Sequence, residues 1–139
     1  MSGAARFPFL PRPGGNGPLD QLPFLPLKIA HGNVSLDLIG IIDSGASFSV
    51  LPYDVGLRFG VSWSNLPSPL SLGGAYGRSP AKMINVKATV PPFPPIPIFF
   101  AWVKSNHSPV LLGQVDFLFH FDVYLCRRHS YFEIQPATP

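Results

Sequence analysis

The amino-acid sequence predicts an all-β domain of short strands, and three observations carry that prediction. Thirteen Gly and eighteen Pro, about a fifth of the 139 residues, interrupt the chain too often for long helices. Only 12% of residues are charged, so the solvated faces that surface helices display are scarce. Apolar residues make up 46%, including twelve Phe, and they fall in short alternating or continuous runs bounded by turn residues. The length suits one domain.

Taken in order, residues 1–21 are rich in Gly, Pro and Ala without apolar periodicity and are expected to be a flexible arm. The domain is expected over residues 22–136, with 137–139 as a tail. Phe24, Leu25, Leu27 and Ile29 begin a strand, His31-Gly32-Asn33 is a turn, and Val34, Leu36, Leu38 and Ile39 to Ile42 form the returning strand of a hairpin. Phe48 to Leu51 continues as strand, and Asp54 to Phe59 is read as one helical turn closed by Gly60. Pro69 to Leu72 and Met83 to Val90 flank a glycine-rich tip, Gly73-Gly74-Ala75-Tyr76-Gly77, which makes a second hairpin. Ile96 to Val103 is an extended strand whose prolines assign it an edge or one-sided position. Val110 to Gly113 is a short buried strand, Asp116 to Phe121 a short helix, and Val123 to Leu125 with Tyr131 to Ile134 a last hairpin turning at Arg127-Arg128-His129-Ser130.

Several function classes are excluded on residue counts. Cys126 is the only cysteine, so there is no internal disulfide and no thiolate zinc cluster. The net charge of +3 arises from scarce acids, with Lys and Arg scattered apart from Arg127-Arg128, so no nucleic-acid partner is expected. Phe7-Pro8-Phe9-Leu10 is too short for a signal-peptide core, and the apolar run from Val90 to Val103 holds five prolines. No membrane association and a cytoplasmic location are therefore the expectation, and the sequons at Asn33 and Asn106 carry no weight without secretion. His31, His107, His120 and His129 show no metal spacing, and neither a serine-hydrolase elbow nor a phosphate-binding glycine loop is present. No metal or cofactor is expected. Cys126 beside Arg127-Arg128 reads as a structural cysteine at a strand end.

The informative stretch is Ile41-Ile42-Asp43-Ser44-Gly45-Ala46. A carboxylate directly after a buried strand is costly unless it is bonded or used. Read alone, it is an Asp opening a turn, its side chain bonding nearby amides. Its place in a longer order says more: Asp43-Ser44-Gly45-Ala46, then a glycine-tipped hairpin at 73–77, then Leu111-Leu112-Gly113 ahead of a short helix and a terminal hairpin.

In that order, from Pro23 to Pro136, the sequence resembles the retropepsin-like aspartic proteases, including bacterial single-domain members. The stretch from Gly113 to Val123 looks like the bacterial form of its segment. The resemblance implies a closed acid-protease barrel with a flap hairpin and one short C-terminal helix, homodimeric, hydrolysing peptide bonds without a cofactor. The chemistry needs two carboxylates sharing one proton: one takes a proton from the attacking water, the other donates to the peptide carbonyl. Of six Asp and one Glu, only Asp43 has the motif context, so a twofold homodimer is needed to pair it with its own copy. Ser44 is implied to fix the two loops against each other, and Gly45 to offer a backbone group to the pair or to substrate. Ala46, Ser47 and the flap residues Gly73, Gly74, Ala75, Tyr76 and Gly77 are implied to line the peptide, Leu72 to Ser79 being the mobile segment. Leu111, Leu112 and Gly113 are implied to support the catalytic loop. Peptides or proteins are the implied substrates.

Two positions depart from the family pattern. Retroviral members often pair an Asp with an Arg where this chain has Ser47 and Gln114, so a neutral contact, or none, is expected there, with a weaker dimer. Cys126 stands where bacterial relatives commonly carry an acid. The alternative function is a catalytically weak peptide-binding or dimerisation module of the same fold; the intact Asp43-Ser44-Gly45 argues against it, because binding alone has no need of the acid.

Overall fold

The computed structural model describes residues 3–67, 70–74 and 77–139. Its first strands lie in the segment expected to be a flexible arm, and that expectation is corrected for residues 5–11. Strand β1 (Ala5–Pro8) pairs antiparallel with the end of the chain, Ala5 opposite Ile134 and Pro8 opposite Tyr131. Strands β2 (Leu10–Pro11) and β3 (Gln21–Leu22) pair with each other across an exposed Gly/Pro-rich loop. The reason is packing: Phe9 is buried, and Phe7 and Phe9 both lie against the Phe132 ring, at 5.4 and 5.9 Å between centroids. Composition hid two anchoring aromatics among glycines and prolines.

Alternation builds the first long hairpin, as expected. In β4 (Phe24–His31) Leu25, Leu27 and Ile29 face inward, and in β5 (Val34–Ile42) Leu36, Leu38 and Ile42 do so. The register runs from Phe24 opposite Ile41 to His31 opposite Val34, through a turn in which Gly32 takes a φ of 59°. Next come β6 (Val50–Leu51) and the single turn α1 (Tyr53–Leu57). β7 (Leu70–Gly74) and β8 (Gly77–Thr89) then form the second hairpin.

β9 (Ile96–Val103) corrects a second expectation. It is neither an edge nor one-sided: it lies between β8 and β6, and Phe100 to Val103 are all buried. Its one internal proline, Pro97, is exposed at the second position, which leaves the donors from Ile98 onward free to pair. Then follow β10 (Leu111–Leu112), the short α2 (Phe117–His120), and the terminal hairpin of β11 (Phe121–Cys126) and β12 (Tyr131–Pro136).

The main sheet runs β4-β5-β10-β6-β9-β8-β7, and a further β4–β8 pairing closes it into a barrel with β7 left outside the closure. Leu25, Ile29, Leu51, Ile84, Phe100, Trp102, Leu112 and Phe117 are fully buried in one continuous core, joined by Phe132 and Ile134 of the terminal sheet β1-β12-β11. Each such side chain taken from water contributes about 1.5–3 kcal/mol. Among the described residues no helix is long and apolar enough to cross a membrane.

Candidate active site

The site grows out of a crossing of strands. β10 is inserted between β5 and β6, parallel to the first, with Leu111 opposite Ile41 and Leu112 opposite Ile42, and antiparallel to the second, with Leu111 opposite Val50. The segment from Asp43 to Ser49 therefore passes from one neighbour of β10 to the other, over its end. Asp43 begins that segment, its N–H donating to the Leu112 carbonyl at 3.0 Å as the last rung of the β5–β10 ladder. The chain then turns, with Ala46 N–H donating to the Asp43 carbonyl at 3.2 Å and Gly45 N–H to Asp43 Oδ1 at 2.9 Å. This is the local Asx geometry that a bare turn aspartate adopts. Asp43 and Ala46 are half-buried, and Ser44, Gly45 and Ser47 are exposed. Among the described residues the Asp43 carboxylate accepts that single hydrogen bond.

Leu111, Leu112 and Gly113 come directly against this loop. Leu112 is buried, and Gly113 is required: a Cβ there would lie 2.6 Å from the Phe48 carbonyl and 2.8 Å from that of Ala46. Two backbone bonds continue the contact, Gln114 N–H to Ala46 O at 2.9 Å and Val115 N–H to Ser47 O at 3.0 Å. The Gln114 side chain donates from Nε2 to the Ser44 carbonyl. The neutral contact at the family's ion-pair positions is thus between Gln114 and the backbone of Ser44, with the Ser47 hydroxyl outside it.

Two residues that the motif reading passed over hold the loop from beneath. Ser49 is fully buried and Asp116 is 3% exposed. Ser49 Oγ donates to Asp116 Oδ1 at 2.6 Å and accepts from Gly113 N–H at 2.9 Å, while Ser49 N–H donates to Asp116 Oδ2 at 3.3 Å. Asp116 also caps α2, accepting from Phe117 N–H at 2.5 Å. Burial pushes the Asp116 carboxyl above its ordinary value, and the bonds from Ser49 and Phe117 pull it back. The sequence signal was faint: Ser49 stands inside Phe48–Leu51, and Asp116 directly before Phe117-Leu118-Phe119.

The β7–β8 hairpin joins the site through an apolar cluster separate from the barrel core. Val50, Ala81, Ala101 and Val103 form its floor, and the half-buried Phe48, Leu72 and Leu111 pack upon it. Leu72 of the hairpin thereby shares a surface with the loop after Asp43. Gly73 and Gly74 end β7 and Gly77 begins β8; Ala75 and Tyr76, expected at the tip, lie outside the described residues. Among the described residues no cluster of three or more His, Cys, Asp or Glu side chains is arranged to hold a metal ion.

No protein-family model matches this sequence, and no curated protein does. Solved structures do. A retropepsin-like aspartic protease from Rickettsia conorii superposes with a TM-score of 0.66 at 15% identity, over 96% of this chain and 99% of that one. EIAV protease in complex with the inhibitor HBY-793 superposes with a TM-score of 0.55 at 19% identity, over 69% of this chain and 85% of that one. The fold expected from the sequence, an all-β retropepsin-like barrel, is the fold observed.

Proposed function

We propose that this chain is an aspartic endopeptidase, active as a homodimer, in which the Asp43 carboxylates of two copies activate one water molecule. The observation that carries the reading is the state of Asp43. It sits on a braced loop at the barrel's strand crossing, half-exposed and accepting one bond, in a fold shared with two aspartic proteases.

In the proposed reaction the two carboxylates lie so close that one proton serves both, because adjacent like charges do not both ionise. The ionised group takes a proton from water as the oxygen attacks the peptide carbonyl. The protonated group donates to the carbonyl oxygen, giving a tetrahedral diol. Its collapse breaks the C–N bond as the amine leaves with a proton. Ser44 and Gly45 position the carboxylates, Ala46 and Ser47 line an extended peptide, and the hairpin bearing Gly73, Gly74, Ala75, Tyr76 and Gly77 closes over it to exclude water. Leu111, Leu112 and Gly113 support the loop from the β10 side. No residue in this scheme calls for a metal or cofactor.

The test is turnover of a mixed peptide library between about pH 3 and pH 8 by wild type and Asp43→Asn. Cleavage that rises faster than linearly with protein concentration and vanishes in the variant supports the reading. Saturable binding without cleavage at any pH overturns it in favour of a peptide-binding module.

A further inference from the structure

The β7–β8 hairpin is fixed to the barrel by one of its two legs. β8 pairs with β9 from Ala81 opposite Val103 onward, and among the described residues Gly77 to Pro80 have no partner on that side. Among the described residues β7, the outermost strand of the sheet, pairs with β8 alone, from Gly74 opposite Gly77 to Leu70 opposite Ala81. Residues 70–74 and 77–80 thus project as a two-stranded ribbon, a form that is marginal without further packing. Leu72 gives the ribbon one apolar seat, and its direction otherwise depends on what holds its base.

Lys82 stands at that base. It is the first residue of β8 past the last β7 pair, and it lies directly opposite Trp102 of β9. From the fixed leg its half-buried side chain crosses to the loose one: Nζ donates to the Leu66 carbonyl at 2.9 Å, four residues ahead of β7. Leu66 ends the short turn Trp63–Asn65, its N–H donating to the Trp63 carbonyl at 3.4 Å. The same ammonium lies 5.6 Å from the centre of the Trp63 ring. Trp63 meets the fully buried Trp102 edge-on at 5.0 Å and Tyr53 at 6.0 Å. Tyr53 in turn stacks on Trp102 at 5.4 Å, and its carbonyl accepts the indole N–H at 3.0 Å. A cation engaged at once by a backbone oxygen and an aromatic face is held more firmly than a solvated surface lysine.

We infer that Lys82 is a positioning residue, a strap that ties the segment feeding β7 to β8 and to the Trp63–Trp102–Tyr53 cluster and so sets the resting direction of the hairpin. The inference deepens the peptidase reading above and rests on it for its consequence in turnover. A ribbon already aimed closes on a peptide directly. One without the strap is spread over more orientations, only a fraction of them ready to close, and apparent affinity falls by that fraction. Once peptide is bound and the hairpin closed, the reacting groups are the same, so the loss falls on KM and not on kcat.

Limited digestion of the full chain with trypsin, followed by mass spectrometry, reads the strap without any turnover by the protein itself. The bond after Arg78, exposed on the ribbon, is cut when the ribbon opens, whereas the bond after Arg127 lies in the terminal turn. Lys82→Met is expected to speed the cut after Arg78 about fivefold or more and to leave the cut after Arg127 unchanged. Lys82→Arg, which keeps a donor and a cation, is expected to restore the wild-type rate. Lys104→Met removes the other cation that lies 5.6 Å from the Trp63 ring and is expected to keep that rate. In peptide turnover Lys82→Met is expected to raise KM about three- to tenfold, with kcat within about twofold of wild type. Equal acceleration at both bonds means a general loss of stability and overturns the inference. So does an unchanged cut after Arg78, a Lys104→Met protein cut as fast as Lys82→Met, or a fall in kcat with KM unchanged. The two readings fail separately: strap-dependent cutting in a protein that hydrolyses no peptide removes only the peptidase. Peptide hydrolysis with a cut after Arg78 indifferent to Lys82 removes only the strap.

Discussion

Two aspartates serve the same loop in opposite conditions. Asp116 is 3% exposed and accepts from three donors, Ser49 Oγ, Ser49 N–H and Phe117 N–H, so its lone pairs are spent on holding the chain. Asp43 is half-exposed and accepts from one donor, the N–H of Gly45. A buried carboxylate left short of partners is costly, whereas one at the surface keeps its capacity for water, substrate or a symmetry mate. The contrast separates a group that shapes the site from one free to act in it. It also predicts that stability and turnover respond to different residues.

The largest expected effect is on Asp43. Asp43→Asn removes the proposed proton acceptor, and turnover is expected to fall by about 10³-fold or more, while stability to urea changes by less than about 0.5 kcal/mol, because no buried partner is orphaned. A variant that loses activity by unfolding erases the distinction between the two aspartates. Gly113→Ala comes next, since Gly113 touches both systems: its N–H bonds Ser49, and its missing Cβ leaves room for the Phe48 and Ala46 carbonyls. Forcing a methyl into that space is expected to cost about 2–3 kcal/mol and to displace the Asp43 loop, lowering turnover per folded molecule as well. Paired urea and activity measurements check it; a neutral result on both shows that the loop yields without penalty.

Ser49→Ala probes the buried side alone. Asp116 Oδ1 and the Gly113 N–H each lose a partner in a dry site, for an expected loss of about 2 kcal/mol. Turnover per folded molecule is expected to fall far less than in Asp43→Asn. Equal losses of turnover in the two variants place Ser49 in the chemistry and blur the comparison.

The exposed member of this pair was legible in the sequence and the buried one was not. Asp43 stood out because an acid follows directly on Ile39 to Ile42, a run that reads as buried strand, and because Leu111-Leu112-Gly113 lies downstream. Ser49 and Asp116 are single polar residues in apolar runs, separated by 67 positions, and only the insertion of β10 between β5 and β6 brings them together. Long-range order of this kind leaves no periodic trace. The hairpins, whose partners are sequence neighbours, were readable, with ends within two residues of those expected except that β8 begins six residues earlier, at Gly77 and not Met83. β1 was missed because two anchoring phenylalanines, Phe7 and Phe9, sit in a segment whose glycine and proline content suggests no structure. β9 was misplaced because prolines before and at its start were given the weight of prolines within it.

The smallest expected effect concerns the proton on Asp116. Burial is the largest influence on that carboxyl and pushes it up, with the bonds from Ser49 and Phe117 opposing. A group whose folded value lies above its unfolded one makes the folded state bind the proton more tightly. Its contribution is then fully present below the ordinary carboxylate value and is lost as pH rises through the raised one. The stability of wild type relative to Asp116→Asn is therefore expected to increase as pH is lowered from about 8 to about 4, against the general acid destabilisation that both proteins share. Urea unfolding of the two proteins in parallel isolates this term, because the remaining carboxylates cancel in the difference. A difference that stays flat over the range means that the hydrogen bonds offset burial completely. One that grows with rising pH means that they outweigh it, and the Ser49–Asp116 contact then acts as an anion-binding site.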